Sequence, residues 1–296
     1  MPDIVKIILR SGPCLDSPAF LRLYLRALGN PALRLLALAL RIKFSPAVLD
    51  AVRESRLPPA EKAGLFSAAM NLFRGGGAFK TTSAGRSPLT DAAVLALAGP
   101  GALIAEVGVS DGVSALHLLE NAGGAEVLLT DLQASFPYRD AGPARVFYYT
   151  DGAYISVKLP LFYLCTGLKA GALPPGLPEV SLLNPLVAEK FPAARLAAFD
   201  IFGGALPRPA GVIKCANVLN LAYFSPEKIK AALENLRSAL AEGGWLVIGQ
   251  NNPAYEGGEA WLALQREGNR LLLRREEHGH ELLPLLRSPG FSGLVG

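Results

Sequence analysis

The chain has 296 residues, of which 51% are hydrophobic, and its formal net charge is +4. This composition excludes a wholly disordered protein and supplies enough apolar residues for one large α/β core with an appended part. Its basic residues are spread along the chain and form no long run with interleaved aromatics. We therefore expect no nucleic acid as a partner.

The cysteines and the first residues bear on metal content and compartment. Cys14, Cys165 and Cys215 lie far apart and form no Cys-x-x-Cys or Cys/His ligand pattern, so neither a disulfide framework nor a metal site is expected. Residues 1–10 have no signal-peptide layout, which predicts a cytoplasmic protein. No uninterrupted apolar run reaches the ~18 residues that a membrane span needs.

Residues 1–80 are predicted to form an N-terminal helical domain, because apolar residues recur there at helical spacing and proline or glycine marks the ends. Helices are predicted near residues 18–28, 32–43, 46–54 and 59–73. The second helix is apolar on most sides, which favours the core of a small helical domain. Peripheral contact with a membrane surface or with an apolar partner is the alternative.

A polar segment follows the glycines 75–77 and precedes the first predicted strand. It is either a linker or a segment that folds over a ligand at the edge of the sheet. Thr90 or Asp91 is expected to cap a helix at Ala92–Ala98, which would hold Arg86 near the strand ends. Arg86 is therefore a candidate ligand contact, with a solvated surface arginine as the alternative.

The most informative stretch is residues 103–116. Apolar residues of a predicted strand at 102–106 end in Glu106, a turn containing Gly108 and Gly112 follows, and a helix is predicted at 113–121. In open α/β sheets, ligands bind at the carboxyl ends of parallel strands, where glycine lets the backbone approach and helix amides point at the ligand. The pattern predicts a ligand site at this turn.

A second strand, predicted at 125–130, ends at Asp131. A carboxylate ~20 residues or slightly more beyond the glycine turn can accept hydrogen bonds from both ribose hydroxyls of an adenosine ligand. We therefore assign Asp131 to the ribose of such a ligand. An ordinary strand-end cap is the alternative.

The alternation of strands and helices breaks down between residues 135 and 193, which is long for a connection within a compact domain. An insertion or a lid is predicted, with a hairpin at 146–155 around an Asp-Gly turn. Its aromatic residues either wall a substrate pocket or make a satellite core; they are Tyr148, Tyr149, Tyr154, Phe162 and Tyr163.

Regular order returns after the insertion. Strands are predicted at 195–202, 211–220 and 245–249, a helix at 226–241 and a closing hairpin at 261–267 and 270–277. Ser225 is expected to cap the helix and Gly243-Gly244 to end it. Gly268-Asn269 is a two-residue turn signal between two alternating runs, which favours the hairpin.

Together these pieces resemble class I methyltransferases that use S-adenosylmethionine, with a more distant similarity to the chemotaxis-receptor methyltransferases. The resemblance is carried by Glu106-x-Gly108-x-Ser110-x-Gly112, by the strand-end acids Asp131 and Asp200, and by residues 213–249 with their Gly-Gly before a hydrophobic strand. It covers residues 89–281 apart from the insertion, and nothing in it extends to residues 1–80.

This resemblance implies an α/β fold with a Rossmann-like, mostly parallel seven-stranded sheet that ends in a C-terminal antiparallel hairpin. The methyltransferase domain would span residues 81–296 and contain the insertion, at about 135–193, between strands 2 and 3. The N-terminal helical domain would precede it. We expect residues 1–80 and the insertion to form the pocket for the methyl acceptor.

The resemblance also implies S-adenosylmethionine as the cofactor. Glu106 would organise the turn and the amino acid end of the cofactor, Asp131 would hold the ribose, Asp200 with Ile201 would flank the adenine, and Asn217 would lie beside the sulfonium. The full set of implied cofactor residues is Glu106, Gly108, Ser110, Asp111, Gly112, Asp131, Asp200, Ile201 and Asn217.

Two members of this set are ambiguous. Ser110 stands where the family often has its middle glycine; its hydroxymethyl group narrows the space beside the ligand but can also hydrogen-bond it. Asp111 either caps the helix that begins near Val113 or faces the methionine amine.

Arg86, Asn220 and Tyr223 are the candidates for the substrate side, with a capping asparagine and a packed tyrosine as the alternatives for the last two. The acceptor is expected to be small or hydrophobic. No general base is assigned, because the cofactor supplies the reactivity and the protein supplies positioning.

Two other functions share part of the pattern. A nicotinamide-dependent oxidoreductase has the same first strand, glycine turn and second-strand acid, but the usual G-x-G-x-x-G is absent here. A non-catalytic protein of the same fold could keep only the cofactor pocket. The sequence makes no prediction of the oligomeric state.

Overall fold

A computed structural model describes residues 17–33, 36, 43–75, 78–79, 83–149, 152–168 and 173–296. Most of the helix predicted at 32–43 lies outside the described residues, as do Cys14, Gly76-Gly77 and Asp151 of the predicted Asp-Gly turn.

The helices and strands follow the predicted order. The α-helices are α1 (Pro18–Gly29), α2 (Ala47–Glu54), α3 (Pro59–Met70), α4 (Pro88–Leu97), α5 (Leu116–Asn121), α6 (Pro185–Lys190), α7 (Pro226–Ala239) and α8 (Leu283–Leu286). The first nine β-strands are β1 (Arg74–Gly75), β2 (Ala78–Phe79), β3 (Leu103–Val107), β4 (Glu126–Asp131), β5 (Ser135–Ala141), β6 (Ala144–Tyr149), β7 (Gly152–Lys158), β8 (Tyr163–Leu168) and β9 (Glu179–Ser181). They are followed by β10 (Leu196–Ala198), β11 (Ala210–Ala216), β12 (Leu240–Asn251), β13 (Glu259–Glu267) and β14 (Arg270–Glu277).

The chain forms two compact units. One comprises Met1–Thr81 and Gln133–Lys190, and the other comprises Thr82–Leu132 and Phe191–Gly296. The N-terminal segment and the region of the predicted insertion thus share one unit. A free-standing N-terminal helical domain stays a prediction.

The unit of Thr82–Leu132 and Phe191–Gly296 is built on a seven-stranded sheet in the order β10-β4-β3-β11-β12-β13-β14. Neighbours from β10 to β12 are parallel, β13 is antiparallel to β12, and β14 is antiparallel to β13. The chain moves outward from β3 through β4 to β10 and then returns to β11. The reversal between β3 and β11 is the kind of switch point at which open α/β sheets bind ligands. The predicted fold class is confirmed: a Rossmann-like sheet, mostly parallel, with an antiparallel ending.

Helices cover both faces of this sheet, which explains why its central strands are continuous apolar runs. On one face, Leu103 and Ile213 belong to a buried cluster with Leu233 of α7. On the other face, Ile104 and Val212 pack in a buried cluster that includes residues of α4 and α5. Alternate residues of β3 and β11 therefore point to opposite helical layers.

Helix α4 begins at Pro88, before the predicted start at Ala92, and its N-terminus is capped from β13. The buried carboxylate of Glu259 accepts hydrogen bonds from the Leu89 and Thr90 amides, each at 3.0 Å. The prediction that Thr90 or Asp91 caps the helix is wrong, because the Thr90 hydroxyl itself donates to Glu259 and Asp91 pairs with a lysine. A carboxylate is favourable there, since the first helical amides have no intrahelical partner.

Other predicted boundaries also differ. The strand predicted at 195–202 is limited to Leu196–Ala198, and the one predicted at 211–220 ends at Ala216.

Helix α7 begins at Pro226, and Ser225 caps it as predicted: the Ser225 hydroxyl accepts from the Lys228 amide at 3.5 Å. The helix ends at Ala239, two residues before the predicted end. Gly243-Gly244 lie inside the long strand β12 and do not end the helix. The strand passes through this point because Gly243 has a φ of +74° and a Cβ on Gly244 would lie 2.9 to 3.1 Å from backbone oxygens.

The other unit contains a five-stranded antiparallel sheet in the order β8-β7-β6-β5-β9. The predicted hairpin is β6–β7, with Tyr149 opposite Gly152. Tyr149 and Tyr154 belong to a satellite core, one of the two alternatives for the aromatics of the insertion, whereas Phe162 is 41% exposed. Phe136 is buried between Phe73 and Tyr149, at ring distances of 5.2 and 4.5 Å, and Tyr149 contacts Tyr154 at 4.2 Å.

The helices in the described parts of the chain are too short or too polar to cross a bilayer.

A buried histidine follows β14. His280 is 1% exposed, and its Nδ1 accepts from the Leu282 amide at 3.1 Å. Its Nε2 has no hydrogen-bond partner among the described residues. Burial lowers the pKa of His280 to about 4, because the imidazolium cannot be hydrated there.

We expect His280 to make the protein sensitive to acid. Above a pH of about 6.5 the imidazole is neutral in both the folded and the unfolded chain. Between that pH and about 4 only the unfolded chain takes up the proton, so the free energy of unfolding falls by about 3 kcal/mol through this group. Urea unfolding of the wild type and of His280→Asn at several pH values measures the difference. Parallel pH curves for the two proteins would contradict the expectation.

Candidate functional site

The turn after β3 contains three residues in left-handed backbone conformation. Gly108, Ser110 and Gly112 have φ values of 75°, 59° and 83°. Glycine adopts this region freely, whereas a serine there is strained. Gly108 is exposed although its neighbours on both sides are buried. The turn therefore presents its backbone at the carboxyl end of β3.

Asp131 closes β4 directly beside this turn, as predicted. Its Oδ2 accepts a hydrogen bond from the Ser110 amide at 2.8 Å. The amides of Gly108 and Val109 donate to the Thr130 carbonyl at 2.8 and 3.1 Å. The structure thus brings the glycine turn and the strand-end acid together. Asp131 has a structural role here, because it hydrogen-bonds the turn, in addition to the predicted contact with a ribose.

Ser110 leaves a polar atom without a partner. Its side chain is 3% exposed, and its hydroxyl has no hydrogen-bond partner among the described residues. Buried hydroxyls are nearly always hydrogen-bonded, so such an atom in a loop suits a polar ligand. A cofactor with ribose hydroxyls or a carboxylate would satisfy it.

Asp111 caps the helical segment that begins at Val113, which is one of the two roles predicted for it. Its side chain is fully buried, and Oδ1 accepts from the Val113 amide at 3.1 Å. Val113 begins a short 3₁₀ segment, Val113–Ala115, that leads into α5. A contact between Asp111 and a methionine amine stays a prediction.

Glu106 belongs to a buried charge cluster that the sequence did not reveal. Lys214 Nζ lies 2.7 Å from Glu106 Oε1 and 2.6 Å from Asp91 Oδ1, and at most 4% of any of these side chains is exposed. Lys214 and Glu106 are register partners on β11 and β3, and Asp91 comes from α4. We call Asp91, Glu106 and Lys214 the buried charge cluster. A single lysine inside an apolar strand was its only sequence signal.

The cluster is electrostatically unbalanced. Burial lowers the pKa of Lys214, but the two carboxylates outweigh this effect and raise it above its usual value. Burial raises the pKa of Glu106, and the Lys214 ammonium opposes that rise. Two carboxylates thus share one cation, and Glu106 Oε2 has no hydrogen-bond partner among the described residues. A cationic group of a ligand would suit this carboxylate better than an anion.

Asn217 is held by the end of the neighbouring strand. Its side-chain amide donates to Asn251 Oδ1 at 2.6 Å and accepts from the Asn251 backbone amide at 2.8 Å. Asn251 also accepts from the Ser87 hydroxyl at 3.0 Å and donates to the Arg86 carbonyl at 2.8 Å. Asn251 was not predicted as a site residue, and its only sequence signal is a polar residue just past a predicted strand. The place of Asn217 beside a sulfonium stays a prediction.

The three substrate-side candidates lie near one another. Asn220 is buried and accepts from the Tyr223 amide at 3.0 Å, which is the predicted capping alternative. Tyr223 is 58% exposed. Burial lowers the pKa of Arg86, and the nearby Tyr223 opposes this shift. Their contact with a substrate stays a prediction.

Of the two residues predicted to contact adenine, one is exposed and the other is buried in the core. Asp200 is exposed, and its Oδ1 accepts from the Phe202 amide at 2.9 Å. Ile201 is 8% exposed and packs in the core cluster with Phe199. β10 is parallel to β4, so Asp200 follows β10 at the same edge of the sheet as Asp131. An adenine contact stays a prediction for both residues.

Gly108 has a packing role that the sequence did not indicate. A Cβ at this position would lie 2.4 Å from Val218 Cγ2. We expect Gly108→Ala to lower the free energy of unfolding by about 2–3 kcal/mol, from the clash and the positive φ together. In a Val218→Ala background the penalty should fall to about 1 kcal/mol, because only the backbone strain remains. A denaturation cycle with all four proteins measures this, and equal penalties in both backgrounds would contradict it.

We expect Ser110→Gly to stabilise the protein by about 0.5–1 kcal/mol, because relief of the left-handed strain exceeds the added freedom of the unfolded chain. Ser110→Ala is the matched control, since it removes the unpartnered hydroxyl but keeps the Cβ and its strain. Thermal unfolding of both variants shows whether relief of the backbone strain or removal of the hydroxyl changes the stability. A glycine variant no more stable than the alanine variant would rule out strain at this position.

No protein-family model matches the sequence, and no curated protein matches it. Several solved structures are similar. A TehB-like SAM-dependent methyltransferase from Corynebacterium glutamicum is 20% identical with a TM-score of 0.33, over 57% of this chain and 66% of that one. The N-methyltransferase NodS from Bradyrhizobium japonicum is 16% identical with a TM-score of 0.32, over 55% and 67%. The 1,6-didemethyltoxoflavin-N1-methyltransferase of Burkholderia thailandensis, solved with S-adenosylhomocysteine, is 16% identical with a TM-score of 0.35, over 67% and 64%.

Each similarity spans about two thirds of the other protein's length. Identities of 20% or less and TM-scores near one third carry no conclusion about activity or ligand. The fold class rests on the order and direction of the strands in the seven-stranded sheet. The chain thus has the Rossmann-like fold that its resemblance to class I methyltransferases implied.

Proposed function

We propose that the chain is an S-adenosylmethionine-dependent methyltransferase that acts on a small or hydrophobic acceptor. The observation that carries the proposal is the junction of the 108–112 turn with Asp131 at the switch point of the sheet. There an exposed glycine backbone, an acid at a strand end and the unpartnered Ser110 hydroxyl lie together. These are the elements that an adenosine-bearing ligand needs.

The buried charge cluster favours this cofactor over a dinucleotide. In dinucleotide-binding enzymes the glycine turn faces an anionic pyrophosphate. Here Glu106 lies two residues before that turn, and Glu106 and Asp91 share a single lysine. An excess of buried negative charge repels a pyrophosphate and attracts a ligand that carries a sulfonium and an ammonium group. The nicotinamide-dependent alternative is therefore disfavoured.

Each residue would contribute binding or orientation. When bound, the cofactor supplies a methyl group on an activated sulfonium. Asp131 would accept hydrogen bonds from the ribose, and Glu106 Oε2 would accept one from the ammonium of the methionine part. Gly108 would let the backbone approach, and Asp200 would lie toward the adenine. The chain needs no nucleophile of its own, because the work left to it is orientation and exclusion of water.

The acceptor side would be formed by the loop after β11. Leu221 and Tyr223 in this loop are 46% and 58% exposed, and Arg86 lies near Tyr223. Exposed apolar side chains beside one cation suit a small acceptor with an apolar body and a polar or anionic group.

Calorimetry with S-adenosylmethionine and with NAD tests the proposed cofactor. We expect saturable binding of the first and none of the second; binding of NAD alone would overturn the proposal. Transfer of labelled methyl groups from the cofactor to a metabolite panel then separates an enzyme from a protein that only binds the cofactor. Cofactor binding without transfer to any acceptor would favour the binding protein.

We expect Asp131→Asn to weaken S-adenosylmethionine binding by about 1–3 kcal/mol, because the amide keeps an acceptor for Ser110 but loses the charge-assisted bonds to ribose. Glu126→Gln is the matched control, since it removes a carboxylate from the far end of the same strand, where it pairs with Arg208. Calorimetry on both folded variants measures the effect. Unchanged affinity in Asp131→Asn would exclude the ribose role.

A further inference from the structure

The buried charge cluster has more negative than positive groups. Asp91 and Glu106 contribute two carboxylates and Lys214 one ammonium, with almost no exposure to water. Two other polar groups face it. The Ser114 hydroxyl donates to Glu106 Oε1 at 3.4 Å, and His117 Nδ1 lies 3.5 Å from Asp91 Oδ2 and is charged only when protonated. With a neutral His117 the cluster carries one net negative charge when both acids are ionised.

The cluster adjoins the glycine turn along the chain. Glu106 precedes Gly108 by two residues on β3, and Ser114, which contacts Glu106, follows the turn by two residues. Because these groups are buried, water screens their charge poorly. A ligand on the turn therefore experiences the net charge of the cluster.

The proposed cofactor changes its charge in the reaction. Before transfer it carries a sulfonium, an ammonium and a carboxylate, for a net charge of +1. The acceptor atom forms a bond to the methyl carbon, the carbon–sulfur bond breaks, and sulfur keeps both electrons of that bond. The remaining thioether is neutral, so the demethylated product has no net charge.

We propose that the buried charge cluster discriminates between the cofactor and its demethylated product, by attracting the sulfonium form more strongly. This inference rests on the proposed function and extends it to product release. A difference of one unit charge near a poorly screened anion changes an affinity ratio on the order of five- to tenfold. The site would thus favour exchange of product for fresh cofactor.

The test compares the dissociation constants of S-adenosylmethionine, S-adenosylhomocysteine and adenosine by calorimetry at pH 8.5, above the range in which imidazoles titrate. Asp91→Asn makes the cluster neutral without changing a residue assigned to the ligand. We expect its affinity for S-adenosylmethionine to fall about five- to tenfold. The affinity for S-adenosylhomocysteine should fall less, because this product keeps the ammonium but lacks the sulfonium. The affinity for adenosine, which lacks both groups, should stay within about twofold of wild type.

A second variant avoids any change inside the core. His117 is 47% exposed, so His117→Lys adds a permanent positive charge beside Asp91 from the surface. We expect His117→Lys to lower the affinity for S-adenosylmethionine relative to that for S-adenosylhomocysteine, as Asp91→Asn does. The neutral control His117→Gln should leave this ratio unchanged. Glu126→Gln serves as a control for removal of a distant carboxylate.

The outcomes separate the two levels of the proposal. Wild-type protein that binds neither S-adenosylmethionine nor its product would overturn the proposed function, and the discrimination with it. Wild-type binding of both, with an unchanged affinity ratio in His117→Lys and in folded Asp91→Asn, would overturn the discrimination alone. An equal loss of adenosine affinity in these variants would also overturn it, because the effect would then be structural.

Discussion

The centre of the seven-stranded sheet depends on the ion pairs of the Lys214 ammonium. This ammonium contacts Glu106 on the adjacent strand and Asp91 on the covering helix, so it ties β11, β3 and α4 together at the point where the chain reverses direction across the sheet. Removing Lys214 would leave two buried carboxylates without a cation, which is strongly destabilising. Apolar residues of similar size could pack this space at least as well. Stability alone therefore does not require an ionic cluster at this position.

Much of the fold could be predicted from the sequence because its signals are local. An apolar run followed by a glycine turn predicted β3. Apolar runs preceded by Gly-Gly predicted β4 and the second half of β12, and Ser225 with Pro226 marked the start of α7. What failed were boundaries set by distant residues. Helix α4 begins four residues early because Glu259, on a strand 170 residues from Leu89 in sequence, supplies its cap. Strand β12 continues through a pair of glycines, where Gly243 adopts a positive φ and backbone oxygens leave no room for a side chain on Gly244.

The sequence predicted where the candidate site residues lie in the sheet better than where their side chains point. Parallel strands bring Glu106, Asp131 and Asn217 to one edge of the sheet, as the pattern required. The sequence contains no signal for where each side chain points, because that depends on partners in other elements. Asp131 faces the turn, whereas Glu106 pairs with a lysine and Asn217 with Asn251. The sequence does not single out Lys214 or Asn251, because the partners that define their roles lie on other elements.

The cap on α4 has a consequence for the order of folding. Asp91 lies in the first turn of this helix, and the first turn depends on Glu259, which is synthesised about 170 residues later. A ribosome-bound chain that has made β3 and β4 can pair these strands, but it cannot yet cap the helix that covers them. Long-range closure of this kind slows folding. The first turn of α4 should therefore stay uncapped in the nascent chain until β13 has emerged.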